Sequence, residues 1–286
     1  MKKKTVVITG TSSGIGLETA LLLAERGYEV YATLRDPGRG AVLKAEAARR
    51  KAALHILQLD VTDQSSIRAA IDTVLKESGA IYALVNNAGI YMRGYFEDLS
   101  SEDVQQVFDT NVFGTMKVTR AVLPGMRSAG QGRIITVTSV AGRSGALTAS
   151  AYCASKFALE GFAESLMQEV MPWGIRVSII EPAILKSDQW ATDYGSVKGA
   201  QNKSSPYYEL YGAAKKLMDT VARSSPTENK DVARCIYKAL TARHPRLRYM
   251  VGSRAKLLFA LRRYIPGDFI ERAYSNAAIR RVTRPL

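Results

Sequence analysis

The sequence predicts an α/β protein, a doubly wound parallel sheet with helices on both faces. Three observations predict it. Six short runs, at 5–9, 29–33, 54–59, 82–86, 132–138 and 175–181, are apolar without alternation, as strands covered on both faces are. Helical patterns lie between them, and that alternation implies right-handed crossovers within one parallel sheet. A glycine-rich turn stands where the first strand passes into the first helix.

Taken in order, strand 5–9 feeds the turn and a helix over 16–26. Strands 29–33 and 54–59 follow. The helix over 65–77 is opened by Thr62 and Asp63, whose side chains can cap its free N–H groups, and closed by Gly79. Strands 82–86 and 132–138 precede a long helix over 151–171, stopped by Pro172. After strand 175–181 the pattern breaks down. Residues 183–226 mix Gly, Ser, Tyr and Lys, and a stretch of that length reads as a functional segment, here a helical substrate lid. A last strand is expected at 248–251. No repeat occurs, and no linker is long enough to divide the chain into separate domains, so residues 1–286 read as one domain.

Hydrophobic residues make up 47% of the 286 and charged residues 23%, enough apolar surface to exclude disorder. Cys153 and Cys235 are too few for a disulfide framework or a cysteine zinc site, so no metal is expected and a reducing compartment is the simplest setting. No run approaches the ~18 apolar residues of a spanning helix. Lys2, Lys3 and Lys4 imitate the charged start of a secretion signal, but the apolar run behind them is only Val6-Val7-Ile8. The expectation is a cytoplasmic protein. The net charge of +14 is concentrated in 240–286, a C-terminal extension with eleven Lys and Arg against Asp268 and Glu271.

Chemistry begins at Thr9-Gly10-Thr11-Ser12-Ser13-Gly14-Ile15-Gly16. Three glycines allow a tight turn and close approach of a ligand, and the helix N-terminus then offers free N–H groups to a pyrophosphate. At the tip of the second strand, a carboxylate would bind the ribose hydroxyls of NAD, whereas a cation would pair with the 2′-phosphate of NADP. Leu34 stands where the acid is expected and Arg35 follows, favouring NADP(H). Asp36 comes next, about 20 residues past Gly16, where the acid of an NAD site would fall, so NAD(H) stays open.

Tyr152 and Lys156 are one helical turn apart. A cation beside a phenol favours the phenolate and makes it able to exchange a proton near neutral pH. The spacing recurs at Tyr194/Lys198 and Tyr211/Lys215, but only the first pair has a strand-end serine, Ser139, thirteen residues upstream and Asn111 before that.

Together Thr9–Gly16, Asn86-Asn87-Ala88-Gly89, Asn111, Ser139 and Tyr152/Lys156 resemble the short-chain dehydrogenase/reductase family, in order from residue 5 to about 187. Residues 30–36 and 152–161 look like its 17β-hydroxysteroid dehydrogenase type 1 and retinol dehydrogenase branch. The resemblance implies a Rossmann domain and a reversible ketone/alcohol oxidoreductase using NADP(H). It implies Tyr152 as proton donor or acceptor, Ser139 on the substrate oxygen, Lys156 on the nicotinamide ribose and Asn111 propping a water beside Lys156. It implies cofactor contacts at Gly10, Ser12, Ser13, Gly14, Ile15, Gly16 and Arg35. Further contacts are implied at Asp60, Val61, Asn87, Ala88, Gly89, Tyr152, Lys156, Pro182 and Ser187. The family usually has Pro-Gly after the sixth strand; here it is Pro182-Ala183.

The substrate region is expected after Gly89 and within 183–226, with Ser139, Tyr91, Tyr95, Trp190 and Tyr194 as contacts. Aromatic rings with polar tips suit a bulky lipophilic ketone or alcohol such as a steroid, retinoid or polyketide. In the extension, Leu257, Leu258, Leu261, Tyr264 and Ile265 make a helical stripe among basic residues. The stripe packs on the domain or rests on an anionic membrane as a weak peripheral contact. Nucleic acid is not expected as a partner, since no groove-reading motif accompanies the charge. Two other functions stay open: reduction of carrier- or coenzyme-A-bound 3-oxoacyl chains, and a non-catalytic NADP-binding regulator. The resemblance further implies a homodimer or homotetramer.

Overall fold

The computed structural model describes residues 3–186, 195–261 and 267–283. Seven strands form one parallel sheet in the order β3-β2-β1-β4-β5-β6-β7. They are β1 (Thr5–Thr9), β2 (Glu29–Leu34), β3 (His55–Gln58), β4 (Ala83–Asn86), β5 (Gly132–Val137), β6 (Ile175–Pro182) and β7 (Arg248–Val251). The chain winds outward from β1 in one direction, then from β4 in the other. The switch point between β1 and β4 opens a crevice at the carboxyl ends of the strands.

The helices divide between the two faces. Val6 and Ile8 of β1 point to one side and pack with Leu17, Leu21 and Leu23 of α1 (Gly14–Glu25). Val232, Ile236 and Leu240 of α8 (Asn229–Thr241) join them, and Leu43 of α2 (Ala41–Arg49) lies in the same layer. Val7 points to the other side, toward α3 (Gln64–Ser78), α5 (Thr115–Ser128) and α6 (Ser150–Val170). Between α4 (Ser101–Phe108) and α5 the chain makes one wide π-turn, Asp109–Gly114, which carries Asn111.

Each expected strand is present, with ends moved by a residue or two. The expected start of the first helix at 16 moves to Gly14, because the glycine turn itself supplies the first helical residues. The unpatterned stretch 183–226 holds α7 (Tyr208–Arg223). Its buried residues are Tyr211, Ala214 and Ala222. The extension forms α9 (Ser253–Leu261) and α10 (Gly267–Thr283), whose Val282 is buried.

Candidate active site

The glycine turn is compact for steric reasons. A Cβ on Gly16 would stand 2.1 Å from Gly10 O and 2.5 Å from Asn87 Nδ2. The Asn87 amide donates to Thr9 O at 2.9 Å and to Gly10 O at 2.8 Å, tying the β4 tip to the turn. Thr9 Oγ1 accepts the backbone N–H groups of Asn87 and Ala88, each at 3.0 Å, a contact the sequence did not signal. Ser13 caps α1 in extended conformation without a side-chain bond, and no acid lies in the first turn. The N–H groups and positive dipole of α1 are thus left for an anion, and the residues fit the pyrophosphate of a dinucleotide.

At the next strand end, Leu34 is buried. Asp36 turns its carboxylate back to accept Gly38 N–H at 2.9 Å, capping a short turn. Arg35 is exposed beside it. Asp60 accepts the amide and hydroxyl of Thr62 at 2.9 and 2.7 Å, and Val61 is buried against Gly114.

Ser139, Tyr152 and Tyr91 line one cavity of about 830 Å³, which also reaches Ser13, Gly14, Ile15 and Pro182. Ser139 Oγ accepts the Ala141 N–H at 3.1 Å and donates to Pro182 O at 3.5 Å. The Tyr91 ring meets the Tyr152 ring edge-on at 4.7 Å. Lys156 is buried; its ammonium donates to Val137 O at 3.0 Å and lies 5.6 Å from the Tyr152 ring centroid. Burial lowers the Lys156 pKa to about 8, against the opposing pull of Glu160. Burial also pushes the Tyr91 phenol up. Asn111 accepts Ile90 N–H at 2.8 Å and donates to Ile90 O at 3.0 Å and Ser155 Oγ at 3.1 Å. It thereby fastens the loop after Gly89 to α6.

Two expectations need correction or restriction. Tyr95 does not line the cavity: its ring stacks on Tyr207 at 4.6 Å, in a separate cluster with Val197, Ala200 and Tyr211. Ser187, Trp190 and Tyr194 lie outside the described residues. The Tyr211/Lys215 pair is not at the cavity: Tyr211 is buried and its hydroxyl bonds Ser196 Oγ at 2.6 Å. Part of the apolar wall escaped sequence reasoning. That part comes from Phe259 of α9 and Ala277 and Ala278 of α10, whereas Leu217, Met218 and Val221 of α7 fall within the expected 183–226 segment. Of the expected stripe, Leu257 is exposed, and nothing is described of the side chains of Leu258, Leu261, Tyr264 and Ile265.

A glycine turn at the switch point, with Tyr and Lys on a helix facing a strand-end serine, defines an oxidoreductase that works with a nicotinamide cofactor. Residues 4–196 match the family described as short chain dehydrogenase, and the chain belongs to that family. It is 38% identical to the uncharacterized oxidoreductase YusZ of Bacillus subtilis, over 93% of this chain and 95% of that protein. It is 35% identical to retinol dehydrogenase 8 of Bos taurus, covering 99% and 92%. With 17-beta-hydroxysteroid dehydrogenase type 1 of Homo sapiens the identity is 37%, covering 92% and 81%. A short-chain dehydrogenase structure from Streptomyces avermitilis superimposes with a TM-score of 0.78 at 30% identity, covering 96% and 98%. Another, from Burkholderia phymatum in complex with NAD, gives 0.75 at 26% identity, covering 86% and 89%.

Proposed function

We propose that the protein interconverts a ketone and a secondary alcohol on a bulky lipophilic substrate with NADP(H). The observation that carries this is Tyr152 and Ser139 on the wall of an apolar cavity of about 830 Å³, with the Lys156 ammonium behind the phenol. When bound, the nicotinamide supplies or accepts the hydride. Ser139 Oγ hydrogen-bonds the substrate oxygen, and the Tyr152 hydroxyl gives it a proton in reduction or takes one in oxidation. Lys156 favours the phenolate and holds the ribose. Asn111 keeps the Ile90 loop and α6 at fixed separation. Relatives that act on retinol and hydroxysteroids support a steroid- or retinoid-like substrate. NADP(H) is supported by the occupied carboxylate of Asp36 beside the exposed Arg35.

The chain works as one domain and as a homodimer or homotetramer. Phe113 and Phe157, exposed at 44% and 48%, lie on the helical face that a second copy would cover. The extension makes weak contact with anionic membrane. Leu257 and Phe269, exposed at 64% and 68%, lie in the basic extension on α9 and α10, the helices that also supply Phe259, Ala277 and Ala278 to the cavity. The test is loss of NADPH absorbance across a panel of lipophilic ketones, with NADH in parallel. Turnover with NADPH alone supports the reading, and preference for NADH overturns the cofactor assignment. Turnover confined to carrier- or coenzyme-A-bound 3-oxoacyl chains overturns the substrate class.

A further inference from the structure

A second cluster of buried charge lies directly behind the cavity. Glu160, one helical turn beyond Lys156 on α6, is 6% exposed, and Glu181 near the end of β6 is 1% exposed. Arg248 of β7 lies between them, its Nε 2.9 Å from Glu160 Oε2 and 3.7 Å from Glu181 Oε1. Arg143 approaches Glu181 Oε2 at 3.6 Å from the loop after Ser139. Burial, and next the charge of Glu160, push the Glu181 carboxyl above its ordinary range. Two neighbouring buried carboxylates are destabilising unless closely paired. Here the pairing is built from two strands, one helix and the loop after Ser139.

The cluster meets the site along three successive residues. Val137 O accepts the Lys156 ammonium at 3.0 Å. Thr138 Oγ1 donates to Glu160 Oε1 at 2.6 Å. Ser139 then reaches the cavity. The loop after Ser139 sits so close to this helix face that a Cβ on Gly142 would stand 3.0 Å from Glu160 Cγ.

We propose that Glu160 is a positioning residue for the proton transfer, holding Lys156 in its ammonium form and locking the Ser139 strand end against the helix that carries Tyr152. The proposal rests on the reading of Tyr152 as proton donor. Several groups surround Lys156 among the described residues. From α6 come Tyr152 and Glu160, from the end of β5 the Val137 carbonyl, and from across Gly89 the neutral Asn111. Tyr91 lies against Tyr152. Glu160 is the charge that opposes the effect of burial on Lys156. Arg248 in turn pairs with Glu160, reaches Glu164 on the solvent side at 2.9 Å and approaches Glu181 at 3.7 Å.

The test is a pH titration of the Lys156 13Cε resonance in the full-length protein, assigned by its loss in Lys156→Arg. The pH profile of kcat/KM for carbonyl reduction is recorded alongside. Glu160→Gln keeps the shape and an acceptor for Thr138. It is expected to lower the Lys156 midpoint by about one pH unit and to move the alkaline limb of the profile with it. Glu160→Asp restores the parent midpoint. Glu164→Gln, on the solvent side of the same arginine, leaves it unmoved. Arg248→Gln, which unmasks the Glu160 charge, raises it and serves should Glu160→Gln not fold. Coincident midpoints in the parent and in either Glu160→Gln or Arg248→Gln overturn the proposal, whatever happens to thermal stability. A parent without turnover overturns the oxidoreductase reading instead; the resonance still reports on Glu160, so the two failures are separable.

Discussion

Ala183 and Gly252 fit against each other. A Cβ on Gly252 would stand 2.7 Å from that of Ala183, and the Ala183 amide donates to the neighbouring Val251 O at 2.8 Å. Gly252 has φ +119°, a conformation for glycine. Where the family resemblance leads one to expect glycine after Pro182, this chain has alanine and places the glycine on the facing strand end. Gly252→Ala is expected to lower the melting temperature and weaken NADPH binding, since the segment after Pro182 must shift. Ala183→Gly in that background relieves the contact but not the φ strain, so it recovers affinity more than stability. Thermal melts and NADPH fluorescence titration read the two effects separately.

Tyr152→Phe removes only a hydroxyl, and the edge contact with Tyr91 survives. It is expected to reduce kcat by about 10²–10⁴-fold, the ordinary share of general acid catalysis, with NADPH affinity nearly unchanged. Steady-state rates and direct cofactor titration check this.

Arg35→Ala is expected to weaken NADPH binding by about 10–100-fold, the loss of a charge-assisted hydrogen bond, and to leave NADH binding unchanged. Asp36→Asn leaves the NADPH/NADH preference in place, because the Asp36 carboxylate is turned to Gly38 N–H. A shift toward NADPH in Asp36→Asn would show that Asp36 reads the ribose.

The pKa of Lys156 is lowered from 10.5 to about 8 by burial. Between those values the unfolded chain binds more protons than the folded one, so this group makes stability rise with pH from about 8 to about 10.5. Below that window its burial is destabilising throughout. Lys156→Met, of similar length, is expected to lack the rise and to be more stable at neutral pH by on the order of 2 kcal/mol. Urea unfolding at neutral pH and near pH 10 measures it.

The extension is expected to sediment with acidic lipid vesicles at low salt and to release as salt screens the charge. Leu257→Asp weakens the association without altering turnover of a water-soluble ketone. Equal sedimentation with neutral vesicles would argue against an electrostatic contact.

The glycine turn, the strand-end serine and the Tyr-Lys pair were legible because each is local. A tight turn needs glycine, and two groups one helical turn apart are neighbours in any helix. The three Tyr-x3-Lys pairs were indistinguishable by spacing alone. Tyr211 differs from Tyr152 only in what surrounds it, Ser196 and a packed cluster rather than an open cavity. Tyr95 packs on Tyr207 rather than on the cavity for the same reason, since aromatic composition does not say which way a ring faces.

The sequence by itself determined the parallel sheet and the local marks of the site, the glycine turn and the spacing of Ser139, Tyr152 and Lys156, because buried parallel strands and anion-binding turns leave periodic, short-range marks. Only the tertiary structure decided that Ala183 is matched by Gly252 and that Glu160 and Glu181 share Arg248 behind Lys156. It alone decided that α9 and α10 join α7 in walling the cavity. These contacts join residues far apart in the chain whose side chains carry no local pattern. Their meaning comes from distance in space, which the parallel order of the strands creates.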